Sequence, residues 1–388
     1  MTAQANRILT THAGSLPRPD ALVDLMVARR RGDHVDGEAL EVVIANATCD
    51  VVKRQARAGI DVVNDGEQAR QSFVTYVMYR LSGYGGETDR RLMKDLTDFP
   101  GVLELRRRRS NGGISLLRSP QAVAPVAYTD MGRRELAAEA RAFHHALQAV
   151  DHEFAGRFMT AASPGIVCTA MYNAYYPTLE DYVDAVADAL SEEYQAIAER
   201  GYILQIDAPD LAMERHTLFQ DRPLEDFIAF IDHVIAAINR ATAGIARDRI
   251  RLHVCWGNYD GPHTNDVPLD AVLPSFYRAN VGALLLSGAN PRHAHEYHVF
   301  ERLPLPEHMN LIAGVVETTG NYVEHPEVIA ERIERVARAV GDPSRVMASP
   351  DCGFDTAAGF GLVAPDVAWA KLAALSEGAE IASRRLFA

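Results

Sequence analysis

Cysteine is scarce in this sequence. The 388 residues include 4 cysteines, which are Cys49, Cys168, Cys255 and Cys352. So few cysteines in a chain of this length do not form the dense disulfide framework of small secreted proteins. Because a reducing compartment keeps thiols free, some of them are available as metal ligands. Cys49 lies in a helical pattern and Cys168 follows a strand-like run, and we interpret both as structural.

Long apolar runs are missing as well. No stretch approaches the roughly 18 uninterrupted apolar residues from which a membrane-spanning helix is recognised. The first residues, Met1 to Arg7, lack the apolar core of a signal peptide. We therefore expect a cytoplasmic protein that does not bind a membrane.

Positive charge is not in excess. The net charge is -13, which argues against an extended nucleic-acid-binding face and makes any phosphate-rich partner depend on a local basic patch. The run Arg106 to Arg109 is a candidate patch, but we interpret it as solvated charge. The expected partners are small molecules and not nucleic acids. A homo-oligomer is compatible with the composition, which does not set the number of copies.

The remaining composition is typical of a soluble globular enzyme. Hydrophobic residues make up 48% of the sequence and charged residues 23%, which is ample for a large core. No linker rich in proline, glycine or serine divides the chain. The expectation is a single domain over residues 1–388.

Short apolar runs alternate with helical patterns through most of the chain, which favours a parallel α/β architecture. The eight candidate strands are 8–14, 61–65, 158–164, 202–207, 250–256, 282–287, 310–317 and 345–351. The helical patterns between them include 22–31, 40–58, 179–200, 224–243, 326–340 and 367–377. Eight βα units in a chain of this length predict a TIM (β/α)8 barrel.

One region between the second and third predicted strands departs from the repeat. Residues 83–130 carry a glycine-rich turn, the arginine run and Asn111-Gly112-Gly113, and a helical stretch follows over 132–150. We predict an insertion or lid over 83–130 with short antiparallel strands that reaches over one end of the barrel. Long insertions of this kind are usually lids, binding elements or interfaces.

Two short motifs suggest a metal site. His253-Val254-Cys255 and Cys352, the latter within Pro350-Asp351-Cys352-Gly353, supply one imidazole and two thiolates, which are ligands that Zn²⁺ prefers. Three protein ligands with a fourth position open are typical of catalytic zinc. The alternative is that a His-x-Cys pair arises by chance and that the cysteines act as small buried hydrophobes.

The barrel prediction places further polar residues at the same end, because active sites of TIM barrels lie at the carboxyl ends of the strands. Helix capping is the alternative explanation for each residue alone. The residues concerned are His12 and Ser15 after the first strand, Asp65 and Glu67 after the second, Asp207 after the fourth, His253 and Cys255 after the fifth, Ser287 after the sixth, Glu317 after the seventh and Cys352 after the eighth.

Several motifs along the chain carry a family resemblance. They are Thr11-His12-Ala13-Gly14-Ser15-Leu16-Pro17-Arg18, Asp65-Gly66-Glu67, Gln205-Ile206-Asp207-Ala208-Pro209, His253-Val254-Cys255, Ala289-Asn290-Pro291-Arg292-His293-Ala294-His295-Glu296 and Pro350-Asp351-Cys352-Gly353. In this order they resemble the catalytic barrel of cobalamin-independent methionine synthase and its single-barrel relatives, which include the epoxyalkane coenzyme M transferases.

The resemblance implies zinc-dependent alkyl transfer to a thiol. The zinc ligands would be His253, Cys255 and Cys352, and the cation would favour the thiolate form of the acceptor. The resemblance further implies that Glu67 and Asp207 hold the amino group of homocysteine and that the backbone near Ser15 holds its carboxylate. The charges of two buried carboxylates would complement that of the homocysteine ammonium group.

Three positions depart from the family pattern. Ser287 stands where the methionine synthases have a glutamate zinc ligand, which leaves water, substrate or a remote acid as the fourth ligand. Thr319 stands where they have a proton-relaying histidine, so Glu317, His12 and His293 become the candidate proton donors. Ala170 stands near the position of a tryptophan that stacks on the pterin. Replacements for that ring are Tyr172, Tyr175 and Tyr176.

Other histidines have ordinary explanations. His293 and His295 lie at a predicted helix start, where capping and ion pairing compete with a catalytic role. His216 and His263 follow strand-end loops and either line the mouth or face solvent.

Three functional hypotheses follow. The first is a zinc-dependent S-methyltransferase with homocysteine as acceptor and an undetermined methyl donor. The second is a zinc-dependent alkyltransferase or lyase that uses another thiol, such as coenzyme M with an epoxide. The third is a barrel without catalysis that binds a metal or a ligand, a hypothesis supported only by Ser287.

Overall fold

The computed structural model describes residues 6–109 and 118–388. Its strands are β1 (Leu9–Thr10), β2 (Val62–Val63), β3 (Leu81–Asp89), β4 (Arg118–Tyr128), β5 (Gly156–Ala162), β6 (Ile203–Asp207), β7 (Ile250–Val254), β8 (Ala283–Leu286), β9 (Asn310–Val316) and β10 (Val346–Pro350). Its α-helices are α1 (Asp20–Arg31), α2 (Gly37–Arg57), α3 (Val77–Arg80), α4 (Lys94–Asp98), α5 (Pro100–Arg109), α6 (Asp130–Gln148), α7 (Pro164–Ala170), α8 (Leu179–Glu199), α9 (Asp210–Met213), α10 (Leu224–Ala241), α11 (Leu269–Phe276), α12 (Val299–Arg302), α13 (Pro326–Val340) and α14 (Pro365–Leu386).

Eight of the strands form one parallel sheet in the order β1-β10-β9-β8-β7-β6-β5-β2. Every hydrogen-bonded pair in it is parallel, and helices cross between successive strands. The predicted TIM barrel is therefore confirmed, and each of the eight predicted strands overlaps one strand of the sheet. The first two strands are much shorter than predicted, because the polar residues that follow them belong to loops.

Hydrogen bonds from the backbone and from a side chain bridge the seam between β1 and β2. The Asp61 N–H donates to the Thr10 carbonyl oxygen at 3.2 Å, and the Thr11 hydroxyl donates to the Val62 carbonyl oxygen at 2.9 Å. These bonds satisfy backbone groups that an open sheet edge would leave unpaired. They close the barrel where the strand ladder stops.

The interior of the barrel combines an apolar layer with one buried cation. Leu9, Phe158, Leu285, Ile312 and Met347 belong to a cluster of buried side chains contributed by the strands. The guanidinium of Arg251 lies 3.5 Å from the centroid of the Phe158 ring. It donates to Gln205, Thr11 and the His12 carbonyl oxygen at 2.6 to 3.0 Å. Burial lowers the pKa of Arg251 to about 9.

The insertion lies between β2 and β5, as predicted. Its strands β3 and β4 pair in an antiparallel ladder, and α4 and α5 lie between them in the chain. The base of the hairpin is tied to α8, because Tyr128 donates to Glu193 at 2.8 Å and Arg80 pairs with the same carboxylate at 3.1 Å. Asn111-Gly112-Gly113 lies outside the described residues.

Among the described residues, no helix combines the length and the apolar content that crossing a bilayer requires.

A buried ion pair supports the end of β9. The Lys371 ammonium, on α14, lies 2.9 Å from Glu324 Oε2, and the two side chains are 0% and 3% exposed. Glu324 Oε1 in turn accepts from the Glu317 N–H at 2.8 Å. The pair therefore links the outer helix to the backbone at the barrel mouth.

We expect Lys371→Met to destabilise the fold by about 3 kcal/mol, because it leaves a buried carboxylate without its close cation. The free energy of unfolding, measured in urea, checks this value. Arg384→Met on the same helix is the control, since Arg384 and its neighbour Glu380 are 70% and 75% exposed and such pairs contribute little. Equal losses in the two variants would contradict the prediction.

Candidate metal centre

His253, Cys255 and Cys352 converge at the carboxyl ends of the barrel strands. Their side chains are 4%, 5% and 8% exposed, and the candidate ligand atoms lie within 4.8 Å of one another. The two Sγ atoms are 4.0 Å apart. Residues separated by almost a hundred positions thus form one buried group, because β7 and β10 end at the same mouth.

The register of the sheet orients His253. Asp207, the last residue of β6, is paired with His253 in the parallel ladder, and its Oδ1 lies 3.0 Å from His253 Nδ1. A carboxylate on one ring nitrogen directs the other nitrogen toward a metal, an arrangement common around histidine ligands. His253 Nε2 is therefore the candidate ligand atom. It lies 3.4 Å from the Asp351 carbonyl oxygen.

The spacing of the donors fits a tetrahedral ion. Two thiolates bound to one zinc ion at about 2.3 Å each would lie about 3.8 Å apart, close to the separation of 4.0 Å seen here. Burial lowers the pKa of His253, but hydrogen bonds with Asp207 and Cys255 outweigh it and raise the pKa to about 10. Hydrogen bonds from Cys352 and His253 outweigh burial and lower the pKa of the Cys255 thiol. This donor set favours a soft or borderline cation.

Ser287 adds no carboxylate to the group. Its hydroxyl donates to the Asp351 carbonyl oxygen at 3.1 Å. The Asp351 carboxylate already accepts three hydrogen bonds, from the N–H groups of Gly288, Ala289 and Asn290 at 2.8 to 2.9 Å. Within residues 6–109 and 118–388, no fourth His, Cys, Asp or Glu joins the three ligands.

Glu67 and Asp207 form a buried acid pair beside this group. Their side chains border the same cavity, and Glu67 is 1% exposed. Glu67 Oε1 accepts from the Thr160 hydroxyl at 3.0 Å, whereas Oε2 has no hydrogen-bond partner in the described part of the chain. Burial, followed by the charge of Asp207, raises the pKa of Glu67 to about 7.

The backbone at Glu67 is unusual. Its φ is +55°, a left-handed conformation that costs a non-glycine residue free energy and recurs at binding sites. Asn64 and Asp65 support the turn by accepting from the N–H groups of Gly66 and Glu67 at 2.7 and 3.0 Å. The turn aims the carboxylate inward.

A cavity of about 330 Å³ extends from the acid pair to the insertion. Ser15, Glu67, Asp207, His253, Cys255 and Cys352 lie on its wall. Apolar and aromatic side chains form much of the rest, namely Phe73, Leu92, Met93, Leu96, Leu103, Met213, Tyr259 and Phe360. Four of these residues belong to the insertion, which therefore covers the mouth of the barrel.

The three candidate proton donors have different surroundings. His12 does not line the cavity. It is 1% exposed, its Nε2 lies 2.8 Å from Gln55 Oε1, and burial lowers its pKa to about 3. The structure thus places His12 in the barrel wall, outside the cavity lining, and its catalytic role stays a prediction.

Glu317 and His293 border a smaller cleft that also contacts both thiols. The Glu317 carboxylate accepts the N–H groups of Thr319 and Gly320 at 2.5 and 2.7 Å. His293 is stacked on Trp256, and its ring nitrogens lie 2.7 Å from Glu296 and 2.7 Å from Asp266. Burial lowers its pKa, but these bonds raise it to about 9. The ring nitrogens of His293 and the carboxylate oxygens of Glu317 thus already have hydrogen-bond partners within the described part of the chain.

Two other interpretations of the sequence need correction. Arg106 is not simply solvated, because it lines the cavity and its guanidinium lies 5.6 Å from the Tyr259 ring centroid.

The tyrosines predicted to replace the pterin-stacking ring are not on the cavity wall; they are Tyr172, Tyr175 and Tyr176. Phe73, Tyr259 and Phe360 are the aromatic residues there. Of these three, Tyr259 lies close in sequence to the predicted ligand Cys255, which is the signal that could have found it.

Comparisons with known proteins agree with the motifs. The family model for the cobalamin-independent synthase, catalytic domain, matches residues 8–100 and 86–364. The chain belongs to this family. Methionine synthases of Saccharolobus solfataricus and Thermococcus kodakarensis are 25% and 26% identical to this family member, over 97% of the chain and 95% and 94% of their own lengths. Membership indicates a methyltransferase of the methionine synthase type.

A solved structure supports the fold of this family member. A B12-independent methionine synthase from a Shewanella species, in complex with selenomethionine, superposes with a TM-score of 0.74 at 21% identity. The alignment covers 98% of this chain and 99% of that one. The family model confirms the resemblance inferred from the motifs, and this solved structure supports the fold.

We expect Glu67→Gln to stabilise the metal-free protein at alkaline pH. A carboxyl whose folded pKa is raised contributes stability below its unfolded pKa of about 4.5, and this stability is lost as the pH rises through the folded value of about 7. Above pH 8 the variant should gain roughly 3 kcal/mol over the unmodified chain, and below pH 4 the two should converge. Urea unfolding across pH checks this, with the exposed Glu307→Gln as control. A gain that is independent of pH would contradict it.

Proposed function

We propose that this chain is a zinc-dependent S-methyltransferase that transfers a methyl group to homocysteine. The observation that supports the proposal best is the position of His253, Cys255 and Cys352 beside a buried acid pair, all on the wall of one covered cavity. The similar methionine synthases and the family model support the reaction class. His253, Cys255 and Cys352 would hold the ion.

Zinc is the cation that best suits this donor set. One imidazole nitrogen and two thiolates match catalytic zinc sites, which leave a fourth position for substrate. When bound, zinc supplies a charge that lowers the pKa of an acceptor thiol and holds its sulfur. Asp207 holds His253 in the orientation that this role requires, through the 3.0 Å contact with Nδ1.

The acid pair supports an acceptor that carries an amino group. Glu67 Oε2 lacks a partner among the described residues, and its carboxylate is close enough to Asp207 for their charges to interact. An ammonium group between them would receive charge-assisted hydrogen bonds and relieve this repulsion. Homocysteine carries a thiol and an ammonium group, and the backbone near Ser15 would then meet its carboxylate.

The donor would occupy the part of the cavity beneath the insertion. Its wall there is apolar and aromatic, with Leu92, Met93, Tyr259 and Phe360. Such a wall excludes water, which favours transfer of a carbon group to sulfur over hydrolysis. Arg106 adds a half-buried cation to the same wall, so a donor with an aromatic part and an anionic group fits this region.

A second candidate is alkyl transfer to another thiol, such as coenzyme M with an epoxide. Ser287 favours it, because the family resemblance links a three-ligand site more closely to those transferases. The acid pair opposes it, since a sulfonate thiol without an amino group leaves Glu67 and Asp207 uncompensated.

We expect the group formed by His253, Cys255 and Cys352 to hold one zinc ion in the purified protein, and an acceptor thiol to enter the coordination shell of that ion. Zinc-edge absorption with homocysteine should show an additional sulfur neighbour. Coenzyme M and 4-mercaptobutyrate, which lack the amino group, should bind about 10–100-fold more weakly in calorimetry, because each loses a charge-assisted bond.

Methionine formation with a methyltetrahydropteroyl donor would then be assayed beside epoxide consumption with coenzyme M. Zinc without any homocysteine binding would overturn the first proposal. Epoxide consumption that depends on coenzyme M would replace it with the second.

Asp207→Asn should weaken zinc binding about 10- to 100-fold, the usual effect of removing an outer-shell partner of a ligand histidine. Chelator competition measures the affinity. Asp184→Asn is the matched control, because Asp184 Oδ1 lies 2.9 Å from His233 Nε2 in a more exposed pair of the same kind. Equal affinities of all three proteins would show that Asp207 does not orient His253.

A further inference from the structure

A second group of buried polar side chains lies where the insertion meets the barrel. It consists of Asp95 on α4, His216 in the 3-10 turn Glu214–His216, and Asp266 in the loop after β7. We call these three residues the anchor cluster. It shares no residue with the group formed by His253, Cys255 and Cys352.

His216 is the unexplained member of the anchor cluster. The residue is 1% exposed, yet neither Nδ1 nor Nε2 has a hydrogen-bond partner among the residues described. A buried imidazole without partners costs free energy of about 1–3 kcal/mol. Asp266 Oδ1 is likewise unpartnered within the described residues. Two buried polar atoms therefore lie close together without a hydrogen bond between them.

The distances in the anchor cluster fit a cation between the groups. His216 Nδ1 and Asp266 Oδ1 are 3.3 Å apart but do not form a hydrogen bond, as both atoms remain unsatisfied. Ligands at about 2.0–2.2 Å from one ion lie roughly 3.0–3.5 Å from each other. An oxygen of Asp95 completes a set in which all ligand atoms are within 4.8 Å of one another.

Charge in the surroundings also favours a cation. Asp266 Oδ2 accepts from His263 and His293 at 2.8 and 2.7 Å, so only one of its oxygens is neutralised by protein groups. Asp95 accepts from the neutral donors Tyr259, Thr264 and Asn265 at 2.6 to 3.2 Å. Burial lowers the pKa of His216, which favours the neutral imidazole, the form that can ligate a metal.

We propose that Asp95, His216 and Asp266 bind a second divalent cation, of the Mn²⁺ or Zn²⁺ class. One nitrogen and two carboxylate oxygens form a harder donor set than the thiolate group, which suits such ions. The ion joins the insertion to the barrel, because Asp95 lies on α4 whereas His216 and Asp266 lie on barrel loops. Its role is to hold the cover of the cavity in place, since Leu96 of the same helix lines that cavity.

The test removes the thiolate group and leaves the anchor cluster. A Cys255→Ser/Cys352→Ser chain, stripped of metal and titrated with Co²⁺, should bind a single ion without a sulfur-to-cobalt charge-transfer band. His216→Phe in the same background keeps a ring of similar shape and should abolish this binding. His298→Phe is the matched control, because His298 is 57% exposed, and it should bind Co²⁺ as the parent does.

A second measurement tests whether the ion holds the insertion in place over the cavity. Mn²⁺ should slow tryptic cleavage at the arginine run of α5 in the double-cysteine chain and have no effect once His216 is Phe. If the double-cysteine chain does not fold, elemental analysis of the intact protein and its His216→Phe variant replaces it, with a fall from two ions to one expected.

Absence of Co²⁺ binding in a folded double-cysteine chain would overturn the proposal, as would Co²⁺ binding that survives His216→Phe. Both outcomes leave the zinc proposal for the thiolate group intact, because that group is absent from the tested chain. Loss of zinc from Cys255→Ser alone would conversely say nothing against the anchor cluster.

Discussion

Negative charge buried at the mouth of the barrel is the constraint on which the rest of the site depends. Glu67, Asp207 and the thiols of Cys255 and Cys352 lie together with little exposure. Arg70 and Arg18 lower the pKa of Glu67 without overcoming its burial, and Glu67 Oε2 remains unpartnered in the described chain. Burying charge without compensation is costly. Under the proposed function, a metal ion and a cationic substrate group would bring the missing positive charge.

The insertion makes that electrostatic arrangement effective. Coulombic attraction grows as water is excluded, and Leu92, Met93 and Leu96 cover the cavity in which the acids and thiols meet. The cover is joined to the barrel through Asp95, which accepts a 2.6 Å bond from Tyr259. This hydrogen bond therefore links α4, which covers the cavity, to Tyr259 on the cavity wall. Movement of α4 would open the site and hydrate its charges together.

Periodicity and position were sufficient to predict the barrel and the residues at its strand ends, because parallel strands deliver their last residues to one mouth whatever their distance in sequence. His253, Cys255, Cys352, Glu67 and Asp207 were found in this way. The side chain of His12 turns into the barrel wall toward Gln55, an orientation that its place at a strand end does not predict. The cavity wall was largely missed as well. Phe73 and Phe360 are positioned by the packing of loops and of the insertion, which leaves no periodic pattern in the sequence. Arg106 belongs to a run of charged residues, and only its contact with the Tyr259 ring in the folded chain marks it as part of the cavity wall.

The two cavities that border the thiols differ in what they offer a substrate. In the smaller cleft the polar groups satisfy one another: Glu317 binds the N–H groups of Thr319 and Gly320, and Ser287 donates to the Asp351 carbonyl oxygen. The larger cavity holds the unpartnered oxygen of Glu67. Under the proposed function, the ammonium group of the acceptor thiol would bind on that side. We infer that the thiol acceptor and the methyl donor share the larger cavity, with the reacting sulfur between the acid pair and the insertion. The hydrogen bonds around the smaller cleft would then hold in place the loops that carry the proposed metal ligands.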